Sequence, residues 1–220
     1  MEPELYSTGA MIDSYLEYLL KAWVQAGEHK EDMLHNTGKR WETAMDEMLK
    51  HLVKRNQAAT YLIDINGPLD HNSLGHAVLE MNHLSCFAPG MLALGSYKGK
   101  EIYSHAKRKQ YLDTAEELMK TCYMMYNQTK TGLSGESYAF FGNNMAVRDP
   151  ANRLRPEVVE SLMILHRVTG KDQYREWGWE IFKAFESHCK VPAGYSGLTN
   201  VGQVNPDLDD KMQTWFLAGT

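Results

Sequence analysis

Apolar positions along the chain recur mostly with a helical period. In residues 10–26, Ile12, Leu16, Leu19 and Trp23 fall on one stripe of a 3.6-residue helix. Residues 39–55 repeat the pattern through Trp41, Ala44, Met48, Leu52 and Val53. The run 59–64 reads as a short strand ahead of the turn signal Asn66-Gly67-Pro68. Residues 83–95 are apolar almost all round and are interrupted by Pro89-Gly90. A long amphipathic helix over 104–127 carries Leu112, Ala115, Leu118, Met119, Cys122 and Met125. The stretch 128–155, rich in Gly, Ser and Asn, predicts a loop. Pro156 then stands where a helix begins, a position that tolerates its missing N–H. Gly170 closes that helix, 171–187 forms another, and a loop over 190–208 leads to a last helix. About seven helices, joined mostly as antiparallel hairpins with minor strand, predict an all-α fold.

Composition narrows the class. The 220 residues carry 23 basic and 28 acidic side chains, a net charge of −5, which argues against nucleic acid as a partner. With 43% hydrophobic and 23% charged residues, the chain is globular rather than disordered or collagen-like. No apolar run approaches the ~18 residues of a membrane span. The opening Met1-Glu2-Pro3-Glu4 is acidic, unlike a signal peptide. Three cysteines are too few for a disulfide scaffold.

The common nucleotide, phosphate, zinc-protease and hydrolase motifs are missing. His71, His76 and His83 do not have the spacing of a standard zinc set, and ordinary structural or surface histidines are the preferred reading. The carboxylates are more informative. Asp13 and Glu17 share a helix face that continues through Leu20 and Val24, so two acids head an otherwise apolar stripe. Glu157 and Glu160 lie one turn apart, directly after Arg155, at the start of a helix whose apolar side chains cover nearly every angle. Acids at a helix start also complement its dipole, and that alone accounts for such placement. Burying carboxylates is costly unless they are paired or used. Acids in a polar hollow, with Trp215 and Phe216 in the last helix, suit carbohydrate binding and glycoside hydrolysis.

Six ordered stretches carry a resemblance: 9–25, 80–95, 121–136, 152–185, 194–201 and 210–220. Together they resemble glycoside hydrolase family 47, the class I α-1,2-mannosidases that trim N-linked glycans. The resemblance implies an (α/α)7 barrel with inward-facing acids and an inverting, calcium-dependent removal of terminal α-1,2-linked mannose. Carried over by motif, Asp13 and Glu157 are catalytic carboxylates, with Glu157 of the LRPE stretch as the base that activates water. Glu17, Glu136, Arg155 and Glu160 are cavity groups for sugar hydroxyls, and Glu136 and Glu160 also face calcium-bound waters. His83 and Leu84 line the sugar site, and Trp215 stands where the family packs an aromatic, usually Phe, on the sugar ring. Cys86 and Cys122 match the family's disulfide pair, worth about 3–4 kcal/mol in the loop-entropy model. High-mannose N-glycans are the implied partners and the ER or Golgi lumen, or the exterior, the implied place. Full-length members are often membrane-anchored through an N-terminal segment.

Departures from the family pattern set further expectations. The family's general acid and its calcium-ligating Thr have no counterpart here. Residues 1–220 therefore read as a single mannosidase domain, incomplete on the N-terminal side and slightly at the C-terminus. Hydrolysis by the chain alone is expected to be negligible. Gly219 stands where the family has an acid, Gly135 replaces a Pro, and Met11 sits at a position that varies. Two other readings compete. One is a non-hydrolytic, glycan-binding quality-control relative. The other is a helical scaffold whose acids face solvent on unrelated surfaces.

Overall fold

The computed structural model describes residues 5–9, 12–27, 32–70 and 73–219. Chain order begins with β1 (Leu5–Tyr6), α1 (Asp13–Ala26) and α2 (Asp32–Glu47). The stripe expected on α1 is its buried face, with Leu16, Leu19, Leu20 and Trp23 turned inward against α2. The helix expected to run through residue 55 stops earlier. A π-helical turn (Met48–Leu52) ends it, and β2 (Val53–Arg55) pairs antiparallel with β3 (Thr60–Leu62). Val53 remains buried, so the helical and extended readings share the same apolar anchor. β4 (Asp64–Asp70) and β5 (Ser73–Val78) complete a three-stranded sheet in the order β1-β4-β5.

β6 (Glu80–Asn82) leads into a short 3₁₀ turn, His83–Phe87, and then α3 (Ala88–Lys98). Pro89 lies in the first turn of α3 rather than breaking the segment, because the N–H that Pro lacks would have no intrahelical acceptor there. This helix is apolar on every side because it is covered on nearly every side, chiefly by α4 (His105–Asn127) and by α5 (Glu157–Thr169). At the α3–α5 crossing the Gly90 N–H donates to Ser161 Oγ at 2.9 Å, and Ser161 Oγ donates to the Cys86 carbonyl at 2.6 Å. A Cβ on Gly90 would lie 2.9 Å from the Ser161 Cα, so the crossing requires glycine. The Cys86–Cys122 disulfide joins the 3₁₀ turn to α4, with Cα atoms 6.0 Å apart and 36 positions between them in sequence.

The 128–155 segment is not the loop its composition predicts. It contains the hairpin β7 (Ser137–Phe141) and β8 (Asn144–Asp149), with β7 central in the sheet β6-β7-β8. Gly142, at φ +55°, takes the first place of a two-residue turn that needs positive φ. α6 (Asp172–His188) packs on α5, followed by the small pair β9 (Lys190–Val191) and β10 (Gly194–Tyr195). α7 (Thr214–Gly219) is the last described element. The buried apolar side chains form one connected cluster from α1 to Phe216.

Candidate active site

The start of α5 is set by an irregular turn. Leu154 is fully buried and held at φ +56°, a left-handed conformation uncommon for a branched side chain. Asn152 holds it there: Oδ1 accepts the Leu154 N–H at 3.1 Å, while Nδ2 donates to the Ser134 carbonyl at 2.9 Å. Arg153 and Arg155 flank Leu154, and both reach Glu136. Arg155 Nε donates to Glu136 Oε2 at 2.6 Å, and Arg153 Nη1 lies 2.9 Å from the same oxygen. The Glu136 side chain is only 8% exposed, so the two guanidiniums offset a desolvation cost that would otherwise disfavour its charge. Gly135 fits this corner for two reasons. Its N–H donates to the Tyr138 hydroxyl at 3.0 Å, which a Pro cannot do, and a Cβ would lie 2.5 Å from the Asp149 carbonyl oxygen.

His83 stands behind Glu157. The His83 N–H donates to the Glu136 carbonyl at 2.9 Å, extending the β6–β7 pairing and fixing the ring's backbone. Its ring is 2% exposed, with Nε2 2.8 Å from the Tyr126 hydroxyl and Nδ1 3.1 Å from Glu157 Oε2. The Nδ1–Oε2 approach is close but not aligned as a hydrogen bond, and neither atom has another directed partner. Tyr126 is fully buried, and burial, then the nearby Glu157 charge, holds its hydroxyl proton far above the ordinary phenol range. The resemblance put His83 on the sugar-facing wall. In the structure Nε2 meets the Tyr126 hydroxyl and Nδ1 faces Glu157 Oε2.

Asp13, Glu17 and Glu160 gather at the other end of the same strip. Lys21 lies 3.6 Å from Glu17 and 3.8 Å from Glu160, bridging α1 to the first turn of α5. Burial raises the Glu17 pKa, Lys21 opposes that, and the Glu160 and Asp13 charges add to it. Since Glu157 and Glu160 share the first turn of α5, the five carboxylates line one neighbourhood rather than unrelated surfaces. Among the described residues, Glu136, Glu17 and Glu160 each have a Lys or Arg partner. Asp13 and Glu157 have none.

Trp215 sits beside this group. Its indole N–H donates to the Arg153 carbonyl at 2.9 Å, and the Arg155 guanidinium lies 5.0 Å above its ring. Leu84 is half-buried, its N–H held by Asn82 Oδ1 at 3.2 Å. Gly219 brings α7 against the helix start, where a Cβ would lie 2.7 Å from Pro156 Cγ. His76 is exposed on β5, and His71 and Met11 lie outside the described residues.

Calcium takes six to eight oxygen ligands. Among the described residues no three Asp, Glu, His or Cys side chains converge on one point. The carboxylates that the resemblance places near calcium-bound waters are engaged by Arg153, Arg155 and Lys21. The described carboxylates therefore form no calcium-ligating cluster, and no chemical step is routed through such an ion. Arg153, Lys21 and Tyr126 are the site residues that motif reading missed. Lys21 had a local signal, its i,i+4 spacing from Glu17. Tyr126 and Arg153 had none.

The backbone superposes on the alpha-1,2-mannosidase from Trichoderma reesei, a helical barrel, with a TM-score of 0.83. That match has 24% identity and covers 98% of this chain and 46% of that one. The chain belongs to glycosyl hydrolase family 47, whose description matches residues 1–220. It is 45% identical over 221 residues to mannosyl-oligosaccharide 1,2-alpha-mannosidase MNS1 of Arabidopsis thaliana, covering 98% of this chain and 37% of that protein. It is 38% identical over 226 residues to the human endoplasmic reticulum mannosyl-oligosaccharide 1,2-alpha-mannosidase, covering 98% of this chain and 30% of that protein. The chain thus spans about a third of the length of these relatives.

Proposed function

We propose that this chain supplies the base-carrying side of an α-1,2-mannosidase that removes terminal α-1,2-linked mannose from high-mannose N-glycans. The observation that carries this reading is the contrast in charge pairing along the strip. Three carboxylates are held by cations, whereas Glu157 and Asp13 are left without one. A group that must take a proton from water works best when no cation stabilises its ionised form. In the inverting reaction, water attacks the anomeric carbon, Glu157 takes its proton, and a carboxylic acid protonates the departing glycosidic oxygen. Base and acid then stand about 6.5–9.5 Å apart to leave room for the water. Arg155, Glu136 and Trp215 supply hydrogen-bonding and stacking surface for the sugar beside Glu157. The reading places the protein in the secretory pathway, where an oxidising lumen favours the Cys86–Cys122 disulfide. No helix among the described residues is long and apolar enough to cross a membrane.

A non-hydrolytic glycan-binding role draws support from Gly219, which puts no carboxylate where the family resemblance expects one and leaves no room for a Cβ. Titration with Man-α-1,2-Man, followed by amide chemical shifts, tests the site. Shifts clustered at Asp13, Glu136, Arg155, Glu157 and Trp215, and weaker with Man-α-1,6-Man, support the reading. Equal or scattered responses to the two disaccharides sink it. Calcium-dependent mannose release abolished by Glu157→Gln would show that a residue within this chain supplies the second proton.

A further inference from the structure

We propose that Tyr126 is a positioning residue. Its hydroxyl donates to His83 Nε2, which places the imidazole proton on Nδ1, the nitrogen beside the buried oxygen of the Glu157 carboxylate. The proposal rests on the reading of Glu157 as the base.

The argument is a count of protons and lone pairs around a buried ring. Three arrangements are open to His83. If the proton sits on Nε2, it must be donated to the Tyr126 oxygen. The Tyr126 hydroxyl proton is then left in the core with no acceptor, and the bare Nδ1 lone pair faces carboxylate lone pairs at 3.1 Å. If both nitrogens are protonated, the Tyr126 proton is stranded in the same way. If the proton sits on Nδ1, the Tyr126 O–H is donated to Nε2 at 2.8 Å, and the Nδ1–H has the Glu157 carboxylate as an electrostatic neighbour, Oε2 lying 3.1 Å from Nδ1 without alignment as a hydrogen bond. Only the third arrangement gives every proton a negative or lone-pair neighbour. The partner of one ring nitrogen generally sets the state of the other. Tyr126 can hold this role because it is fully buried on α4, and the Cys86–Cys122 disulfide joins α4 to the turn that carries His83. Glu157 Oε2 lies on the buried side of its carboxylate, so the Nδ1 proton places positive partial charge behind the group read as the base.

Long-range ¹H–¹⁵N correlation on the full chain, labelled with ¹⁵N-histidine, reads the tautomer directly at neutral pH. His83→Gln identifies the signal by its disappearance. The expected result is a protonated Nδ1 and an unprotonated Nε2 at His83, with Tyr126→Phe abolishing that single-tautomer signature. An Nε2–H tautomer or an imidazolium in the unsubstituted chain overturns the proposal, as does a Tyr126→Phe spectrum identical at His83. Should Tyr126→Phe fail to fold, Glu157→Gln decides instead. Retention of Nδ1–H in that variant supports Tyr126 as the lock, and a switch to Nε2–H shows that the Glu157 charge sets the ring. Failure of the mannosidase reading would show in the disaccharide titration and leave the tautomer result standing.

Discussion

The two ends of the carboxylate strip solve the same electrostatic problem differently. At the α1 end, Glu17 and Glu160 share one flexible lysine at 3.6 and 3.8 Å, with the Lys21 side chain 45% exposed. At the β7 end, Glu136 is clasped by two arginines at 2.6 and 2.9 Å, and its neighbour Glu157 is backed by a buried ring. The first is a screened, adjustable arrangement whose charges water can also serve. The second is more deeply buried at Glu136 and His83 and fixed by long-range geometry, so its members depend on one another. Rigid placement is what a base that must meet a water molecule needs. The α1 end is better suited to following ligand hydroxyls.

Removing the staple at the rigid end should have the largest effect. The double variant Cys86→Ala/Cys122→Ala is expected to lose about 4 kcal/mol of unfolding free energy, from the entropy of a 36-residue separation. Denaturant titration checks this, and a loss below about 1 kcal/mol would mean that packing of Ser161 and Gly90 already fixes the crossing. Next comes Arg155→Met, which leaves Glu136 with Arg153 alone. A loss of about 3 kcal/mol is expected, because a buried carboxylate keeps its desolvation cost when a partner goes. Lys21→Met, by contrast, should cost less than about 1 kcal/mol. Equal costs for the two substitutions would break the distinction between the ends.

The flexible end has a pH signature. The Glu17 pKa is raised by burial, so the folded state binds a proton more readily than the unfolded one. Its ionisation therefore subtracts stability as pH rises through the unfolded value, near 4.5, toward the raised folded value. Glu17→Gln should stabilise the chain by less than about 1 kcal/mol at neutral pH, and that gain should vanish in acid. Thermal melts across the acidic range measure it, and a gain independent of pH would assign the effect to packing instead. The smallest expected effect is that of calcium. Millimolar calcium or a chelator should leave the melting temperature of this chain unchanged, since Glu136, Glu17 and Glu160 are engaged by arginine and lysine and no three acidic side chains among the described residues converge. A calcium-dependent rise would reveal oxygen ligands outside those residues.

Much of this arrangement was legible along the chain. Helical periodicity found α1 and α4 to within three residues at either end, because a 3.6-residue stripe needs nothing from distant segments. The Gly142-Asn143 pair, a recognisable two-residue hairpin turn, was masked by the polar composition around it. The boundary between α2 and β2 was not legible, because Val53 serves as a buried anchor in either conformation.

The sequence by itself determined which residues carry charge at the helix starts, and the ordered stretches that mark family membership. Only the tertiary structure decided which of those charges are neutralised. Pairing of Glu136 with Arg155, 19 residues away, depends on the left-handed turn at Leu154. The contact of His83 with Tyr126, 43 residues away, depends on the 3₁₀ turn after β6 meeting α4 in the core. An acid's position is written in its own codon-by-codon neighbourhood, but its electrostatic environment is the sum of everything that folding brings within a few ångströms.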